Sequence, residues 1–376
     1  MVPKIKKILR IGFISANLLE IIFYLMACLV PFLNAGRYWF AALAGLVFPL
    51  LFFILVGFLI YWIIRRSKWA FVCIGALLFG WTQISSTFSF SNTKNFNVAK
   101  APETLRILTW NLSSWGESNR VNKKNNLNEM VEVIKNTNAD ILCLQEYIYL
   151  QNKTYRDSII PVLKASGYQY IFFAKTNYTK KIYKSTVLNT VVIISKYPIA
   201  DSAQFNYPAL NEHDATEPLI YADIKINNKT TRIFTSHLQS VQFENYDYEA
   251  LHNLKEPAEA SVIQSKAVMW KLRDAYKKRS VQAEMLHEKI KESPYPVIVC
   301  GDFNDVPNSY TYFTVKGNLQ DAFLKKGSGL GRTFRFISPT LRIDYILADK
   351  KFEVTQLNKI EVNYSDHYPI IADLVF

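Results

Sequence analysis

Six short polar clusters hold the residue types that phosphate-ester chemistry uses, and each adjoins a strand-like apolar run. They are Thr109-Trp110-Asn111, Cys143-Leu144-Gln145-Glu146, Phe234-Thr235-Ser236-His237, Val299-Cys300-Gly301-Asp302-Phe303-Asn304-Asp305, Arg342-Ile343-Asp344-Tyr345 and Tyr364-Ser365-Asp366-His367. Glu, Asp and Asn oxygens with few Cys or His ligands favour a hard cation, Mg2+ or Mn2+, over zinc. Such an ion neutralises phosphate charge, and an Asp–His pair beside it can activate water. Taken singly, each cluster also reads as an ordinary turn, because Gly, Asp and Asn favour turns. Taken in series at strand ends, they can converge on one rim of a sheet sandwich. The chemistry they point to is metal-dependent attack of water on a phosphate ester.

The elements that must position these groups alternate between two periods. Leu105–Trp110, Ile141–Leu144, Tyr168–Phe173, Val191–Ser195, Ile220–Ile226, Thr230–His237, Val297–Cys300, Ile343–Leu347 and Ile370–Phe376 read as strands. Leu127, Met130, Val131 and Ile134 have helical spacing, and a long helical stretch runs from about Ala258 to Lys291. Many strands with few helices predict a packed α+β sandwich over 103–376. Ser91–Glu103 is polar, contains Pro102, and reads as a linker over 91–102. The connection from His237 to Asp302 is long. Its Gln239–Glu256 part, with Phe243, Tyr246 and Tyr248, reads as a lid or as a surface segment, and the basic helix after it reads as a membrane-facing arm or as a solvated helix packed on the sandwich through Val268, Leu272, Ala275 and Met285.

Charge and hydropathy divide the chain. Residues 1–96 hold nine Lys or Arg and one acid, Glu20, so +8 of the formal +13 lies in the first quarter. That excludes a disordered chain and weakens the nucleic-acid reading of a basic protein, since most of the excess flanks apolar runs. Cys28, Cys73, Cys143 and Cys300 show neither zinc-ligand spacing nor a disulfide framework. Three apolar stretches, about 11–33, 38–64 and 69–90, are expected to cross a bilayer; the third turns polar near Thr82-Gln83. Glu20 is expected to sit against a neighbouring helix. The basic clusters Lys4–Arg10 and Arg65-Arg66-Lys68 should share the cytoplasmic side, and only Arg37 lies in the intervening loop. With three crossings, a multi-pass anchor in the cytoplasmic membrane holds the large domain outside; if Trp69–Phe90 does not cross, the domain is cytoplasmic.

The ordered set of clusters resembles the endonuclease/exonuclease/phosphatase superfamily, which includes deoxyribonucleases, abasic-site endonucleases, inositol-polyphosphate 5-phosphatases and neutral sphingomyelinases. The resemblance covers about 103–376 and implies a deoxyribonuclease-like four-layer α/β/β/α sandwich. It implies that Asn111 and Glu146 bind the metal, with support from Asp344, and that His237 contacts the phosphate. It further implies that Asp302 orients or activates water, that Asn304 holds the phosphate, and that Asp366 and His367 form an Asp–His pair beside it. One departure stands out: Asn189 precedes the Thr190–Ser195 run, and no acid can be assigned to partner His237. Arg332, in Gly331-Arg332-Thr333-Phe334, is a candidate phosphate clamp, since a guanidinium suits bidentate contact.

Several substrates fit these residues: nucleic acid, a phosphoinositide or sphingomyelin, or a lipid-linked pyrophosphate. A non-catalytic membrane-tethered binding module is the alternative from another class. The anchor favours a lipid head group, because confinement at the bilayer serves an enzyme of lipids and adds little to a scavenging nuclease. Three spans followed by an outward domain also resemble the membrane proteins linked to teicoplanin resistance, which implies a lipid-linked pyrophosphate.

Overall fold

The computed structural model describes residues 2–91, 96–116, 126–149, 156–175, 179–182, 185–210, 217–242 and 258–376. The lid segment expected at Gln239–Glu256 lies outside these residues beyond Gln242.

Two sheets pack face to face. Among the described residues, the first has the order Glu353–Lys359, Ile370–Val375, Leu105–Asn111, Ile141–Tyr149, Ser185–Ser195, Tyr170–Phe173, with Thr179–Ile182 also paired to Ser185–Ser195. The second has the order Gln320–Asp321, Asp344–Ala348, Val297–Asp302, Lys229–His237, Leu219–Ile226, Ile199–Phe205. Each sheet has one parallel pair, Leu105–Asn111 with Ile141–Tyr149 and Lys229–His237 with Val297–Asp302; the remaining pairs are antiparallel.

Strands buried on both faces read as near-continuous apolar runs, which is why these central strands are legible in the sequence. Side chains alternate between two cores. Leu105, Ile107, Ile141, Cys143, Ile298 and Ile346 point between the sheets. Leu108, Trp110, Leu142 and Leu144 point outward, against Met130 and Ile134 of helix Leu127–Thr137 and Ile159 and Leu163 of helix Arg156–Ala165. On the opposite side, Val299, Tyr345 and Leu347 meet Ala283 and Leu286 of helix Ala258–Lys291 and Tyr312 and Val315 of helix Tyr310–Lys316. The result is the α/β/β/α layering. The edge strands Ile199–Phe205 and Glu353–Lys359 have no apolar run to announce them, because an edge strand is half exposed.

The apolar region differs from three simple spans. Ile5–Phe32 and Trp39–Ile64 are each long and apolar enough to cross a membrane. The third is a pair of helices, Trp69–Phe79 and Trp81–Thr87, bent by 63° at the break, so there are two candidate spans, or three if the pair counts as one. The bend falls at Gly80, where the run begins to turn polar. Glu20 is buried among these helices without a hydrogen-bond partner.

The folded domain rests directly on this helical unit. Asn308 Nδ2 donates to the Ala27 carbonyl at 3.0 Å, and Asn34 Nδ2 donates to Glu284 at 2.6 Å. Arg342 Nη2 donates to the Ser86 carbonyl at 2.8 Å. Tyr276, Leu272 and Tyr310 pack with Ala35, Trp39, Ala42 and Leu43. A Cβ added at Gly45 would collide with the Asn308 carbonyl, so that close approach needs glycine. Ser89–Phe90 then pairs with Ser328–Gly329 as the chain leaves the helices.

Candidate active site

Strand register sets the floor of the site. Asp302 lies opposite His237 in the parallel ladder and opposite Asp344 in the antiparallel one, so three adjacent strands present these residues in one row. Gly301 precedes Asp302 with φ +147°, and a Cβ there would strike the Ser236 carbonyl. On the facing sheet Asn111 ends its strand opposite Gln145. The pairing of Ile141–Tyr149 with Ser185–Ser195 then slips between Leu144 and Tyr147, and Glu146 takes φ +49° in that bulge. Bulges beside active sites re-aim a side chain, and a non-glycine residue held in the left-handed region marks such a site. Asn304 shows the same feature, with φ +51°.

Polar groups converge on one carboxylate oxygen, Asp302 Oδ2. Asn111 Nδ2 donates to it at 3.0 Å, and Nε2 of His237 and of His367 each lie 3.6 Å away. Both imidazole gaps exceed a hydrogen bond, so these groups surround a point rather than saturating one another. Asp302 Oδ1 accepts from the Asn304 N–H at 2.8 Å, while Asn304 Nδ2 donates to the Leu238 carbonyl at 2.9 Å. Asn111 Nδ2 is also 3.5 Å from Glu146 Oε1, and its Oδ1 accepts from the Ser113 N–H at 2.9 Å. Ser365 Oγ donates to the Asn111 carbonyl and accepts from the His367 N–H, fixing the last loop against the first strand.

Two partners differ from the sequence expectation. His367 Nδ1 lies 2.9 and 3.1 Å from the oxygens of Asp344, so Asp344, and not Asp366, holds the ring. Asp366 lies in the bend that precedes His367, and its carboxylate receives Ser365 Oγ at 3.4 Å instead. The acid beside His237 is Glu217, buried at 3.4 Å from Nδ1. Asn189 lies opposite Ile148 in the first sheet, with its carboxamide oxygen unpartnered. Glu217 sits in a short stretch before Pro218 with no apolar run in front of it, so no strand-end signal could have found it.

Burial and charge set the protonation states. Burial works against a charged His237, but Glu217 above all, then Asp302 and Glu146, hold its pKa up at about 9. For His367, burial is likewise outweighed, here by Asp344 and Asp302 with Asp366 further out, and the pKa lies well above the ordinary imidazole value. Burial raises Asp302 to about 6, opposed by His367; Asp344 adds to the rise, while His237 and Asn111 oppose it. At neutral pH the site therefore presents two imidazolium rings flanking a carboxylate of modest basicity.

The donor set suits a hard divalent ion. Asp302, Asp344 and His367 each offer a ligand atom within 4.8 Å of the others, and Glu146 and Asn111 face them from the other sheet. Three carboxylates close to one carboxamide make an oxygen-rich cluster of the kind Mg2+ or Mn2+ takes. Asn111 turns its nitrogen toward the acids, whereas a cation there takes the carboxamide oxygen. Arg332 lies apart from the row. Its Nε donates to the Phe334 carbonyl at 2.8 Å, and it lines a cavity of about 360 Å3 that shares Asp344 with the cluster.

A model of the Endonuclease/Exonuclease/phosphatase family matches residues 108–367. A second, described as a domain of unknown function (DUF8431), matches residues 6–87. The CCR4-Not complex 3'-5'-exoribonuclease subunit Ccr4 of Candida albicans is 27% identical over 199 residues, which are 49% of this chain and 24% of that protein. The match thus spans about a quarter of the relative's length. Among solved structures, the endonuclease/exonuclease/phosphatase from Beutenbergia cavernae superposes with a TM-score of 0.53 at 16% identity, covering 73% of this chain and 72% of that one. The human Nocturnin catalytic domain with bound sulfate anion gives 0.52 at 18% identity, covering 74% and 96%. At these identities the structural likeness speaks to the fold alone.

Proposed function

The chain belongs to the Endonuclease/Exonuclease/phosphatase family of hydrolases, and within it we propose a membrane-anchored, divalent-metal-dependent phosphoesterase acting on a lipid-linked or lipid head-group phosphate outside the cytoplasmic membrane. The observation that carries this reading is the seating of the catalytic strands on the apolar helices. Asn308, four residues after Asn304, bonds to Ala27, and Arg342, two residues before Asp344, bonds to Ser86. Four residues of chain reach at most about 14 Å. A helix needs about 20 residues to cross the hydrocarbon, and counting back that far from Ile64 reaches Gly45, which Asn308 touches. The catalytic rim is thereby held at head-group level.

The same contacts support an extracytoplasmic domain. Ala27, Asn34, Gly45 and Ser86 lie at one end of the helical unit, whereas Lys6, Lys7, Arg10, Arg65, Arg66 and Lys68 lie at the other. Basic residues mark the cytoplasmic side, which supports a domain on the opposite face.

Glu146, Asn111 and Asp344 are the residues that would hold a divalent ion, Mg2+ or Mn2+, which when bound neutralises charge on the phosphate. Asp302 accepts a proton from the attacking water, as its near-neutral pKa allows. Asn304 and Asn111 orient the phosphate oxygens, the His367 cation held by Asp344 stabilises the charge that develops, and His237 delivers a proton to the leaving oxygen. A nuclease is the second reading, favoured by the exoribonuclease named above.

The test is a substrate panel on the full-length protein in vesicles, with Mg2+ and with EDTA: plasmid DNA, RNA, phosphoinositides, sphingomyelin and a polyprenyl pyrophosphate. The expected result is metal-dependent turnover of a lipid phosphate. Rapid cutting of nucleic acid with no lipid turnover would overturn the proposal. A reporter fused after Phe376 checks the side, with extracytoplasmic behaviour expected.

A further inference from the structure

The helix Ala258–Lys291 is 34 residues long, about 51 Å, well beyond the roughly 20–30 Å of the strands beside it. Arg279 Nη1 reaches the Gln239 carbonyl and its Nε faces Asp305, so the level of residue 279 marks the catalytic rim and the first half of the helix runs past it. Leu272, Tyr276, Ser280 and Glu284 form a single stripe against Trp39, Ala42, Leu43, Gly36 and Asn34. Trp39–Leu43 lie above Gly45, at head-group level by the count given above.

At about 100° per residue, Met269 falls on the same stripe, one turn beyond Leu272 and past the last contact with the anchor. Arg273, Lys266, Lys277 and Trp270 follow within about 100° on one flank, and the acidic Asp274, paired with Lys278, lies about 40° beyond Trp270. Met269 is 37% and Trp270 62% exposed, and the Arg273 guanidinium stacks 4.5 Å from the Trp270 ring centre. Phe40, also exposed, stands on the anchor at the same level. Apolar and aromatic side chains flanked by Lys and Arg, continuous with a span, form the pattern of a helix lying in a membrane interface.

We infer that the first half of helix Ala258–Lys291 lies in the phospholipid head-group layer, with Met269 and Trp270 at the acyl border and Lys266, Arg273 and Lys277 at lipid phosphates. This rests on the anchor crossing the bilayer, but not on the identity of the substrate.

The inference is tested with full-length protein carrying Met269→Cys, labelled with an environment-sensitive fluorophore and reconstituted into phosphatidylcholine–phosphatidylglycerol vesicles. The four native cysteines are buried, and the unsubstituted protein is labelled in parallel. Lys351→Cys, on an exposed turn at the other end of the sandwich, is the reference. A blue-shifted emission at 269, quenched by lipids spin-labelled near the head group, with aqueous emission at 351, is expected. Aqueous emission at both positions in protein that resists carbonate extraction would overturn the inference and leave the anchor standing. Extraction by carbonate would overturn both.

Discussion

The pairing of His237 with Glu217 gives the most quantitative expectation. A pKa of about 9 for His237, against an ordinary value of about 6.5, corresponds to about 3 kcal/mol favouring the charged ring in the folded protein. Glu217→Gln keeps the shape of the partner and removes its charge, so burial regains control and the midpoint falls by about 2 or more. The sign of the stability change follows. A group whose folded pKa is raised contributes fully below its unfolded value, near 6.5, and loses that contribution as pH rises through about 9. The wild type should therefore exceed the variant by about 3 kcal/mol at pH 6, and the gap should close toward pH 9, where buried Glu217 loses its counter-charge. The assay is a carbon-13 histidine titration in EDTA with thermal melts over the same pH range; the chain has only five histidines to assign. A midpoint unchanged within about 0.5, or a stability gap independent of pH, would refute the pairing.

Four further outcomes follow from the site and its seat. Asp344→Asn should lower turnover far more than Asp366→Asn, because Asp344 holds the His367 ring; equal losses in kcat would contradict that geometry. Glu146→Gln should abolish the response to added Mg2+ with the circular dichroism spectrum retained, and full activity in EDTA would remove the ion from the mechanism. Asp302→Ala and His367→Ala should each reduce kcat by about 100-fold or more with little change in KM, and a near-normal rate in either would excuse that residue. Gly45→Val should strain the seat of Asn308 by about 1–3 kcal/mol, lowering Tm and lipid turnover together; an unaltered melt would mean the domain is not docked there.

How much of this could be read from the sequence depended on distance along the chain. The strand-end residues Asn111, Glu146, His237 and Asp302 announce themselves because a strand buried on both faces leaves an uninterrupted apolar run, and the polar residue that ends it is conspicuous. Asp344 and Asp366 show the limit: chain adjacency pointed to Asp366, whereas the crossing of Ile370–Val375 to the other sheet brings Asp344 to the His367 ring. Glu217 was hidden, since a loop acid before a proline carries no pattern. The bend at Gly80 was hinted at by the polar turn at Thr82-Gln83, but the seating of the domain was not, because Asn34 and Glu284 stand 250 positions apart.

That separation has a consequence for biosynthesis. Helices Val2–Leu29 and Trp39–Ile64 leave the ribosome first, while the groups that cover the end they share, at Glu284 and Asn308, arrive 250 to 281 residues later. At about 5–20 residues per second, that interval is roughly 12 to 56 s. Throughout it Ala42, Leu43 and the small patch at Gly45 lack the side chains that cover them in the folded protein. That end of the helical unit is thus a transient apolar platform until the late-made segments arrive to cover it.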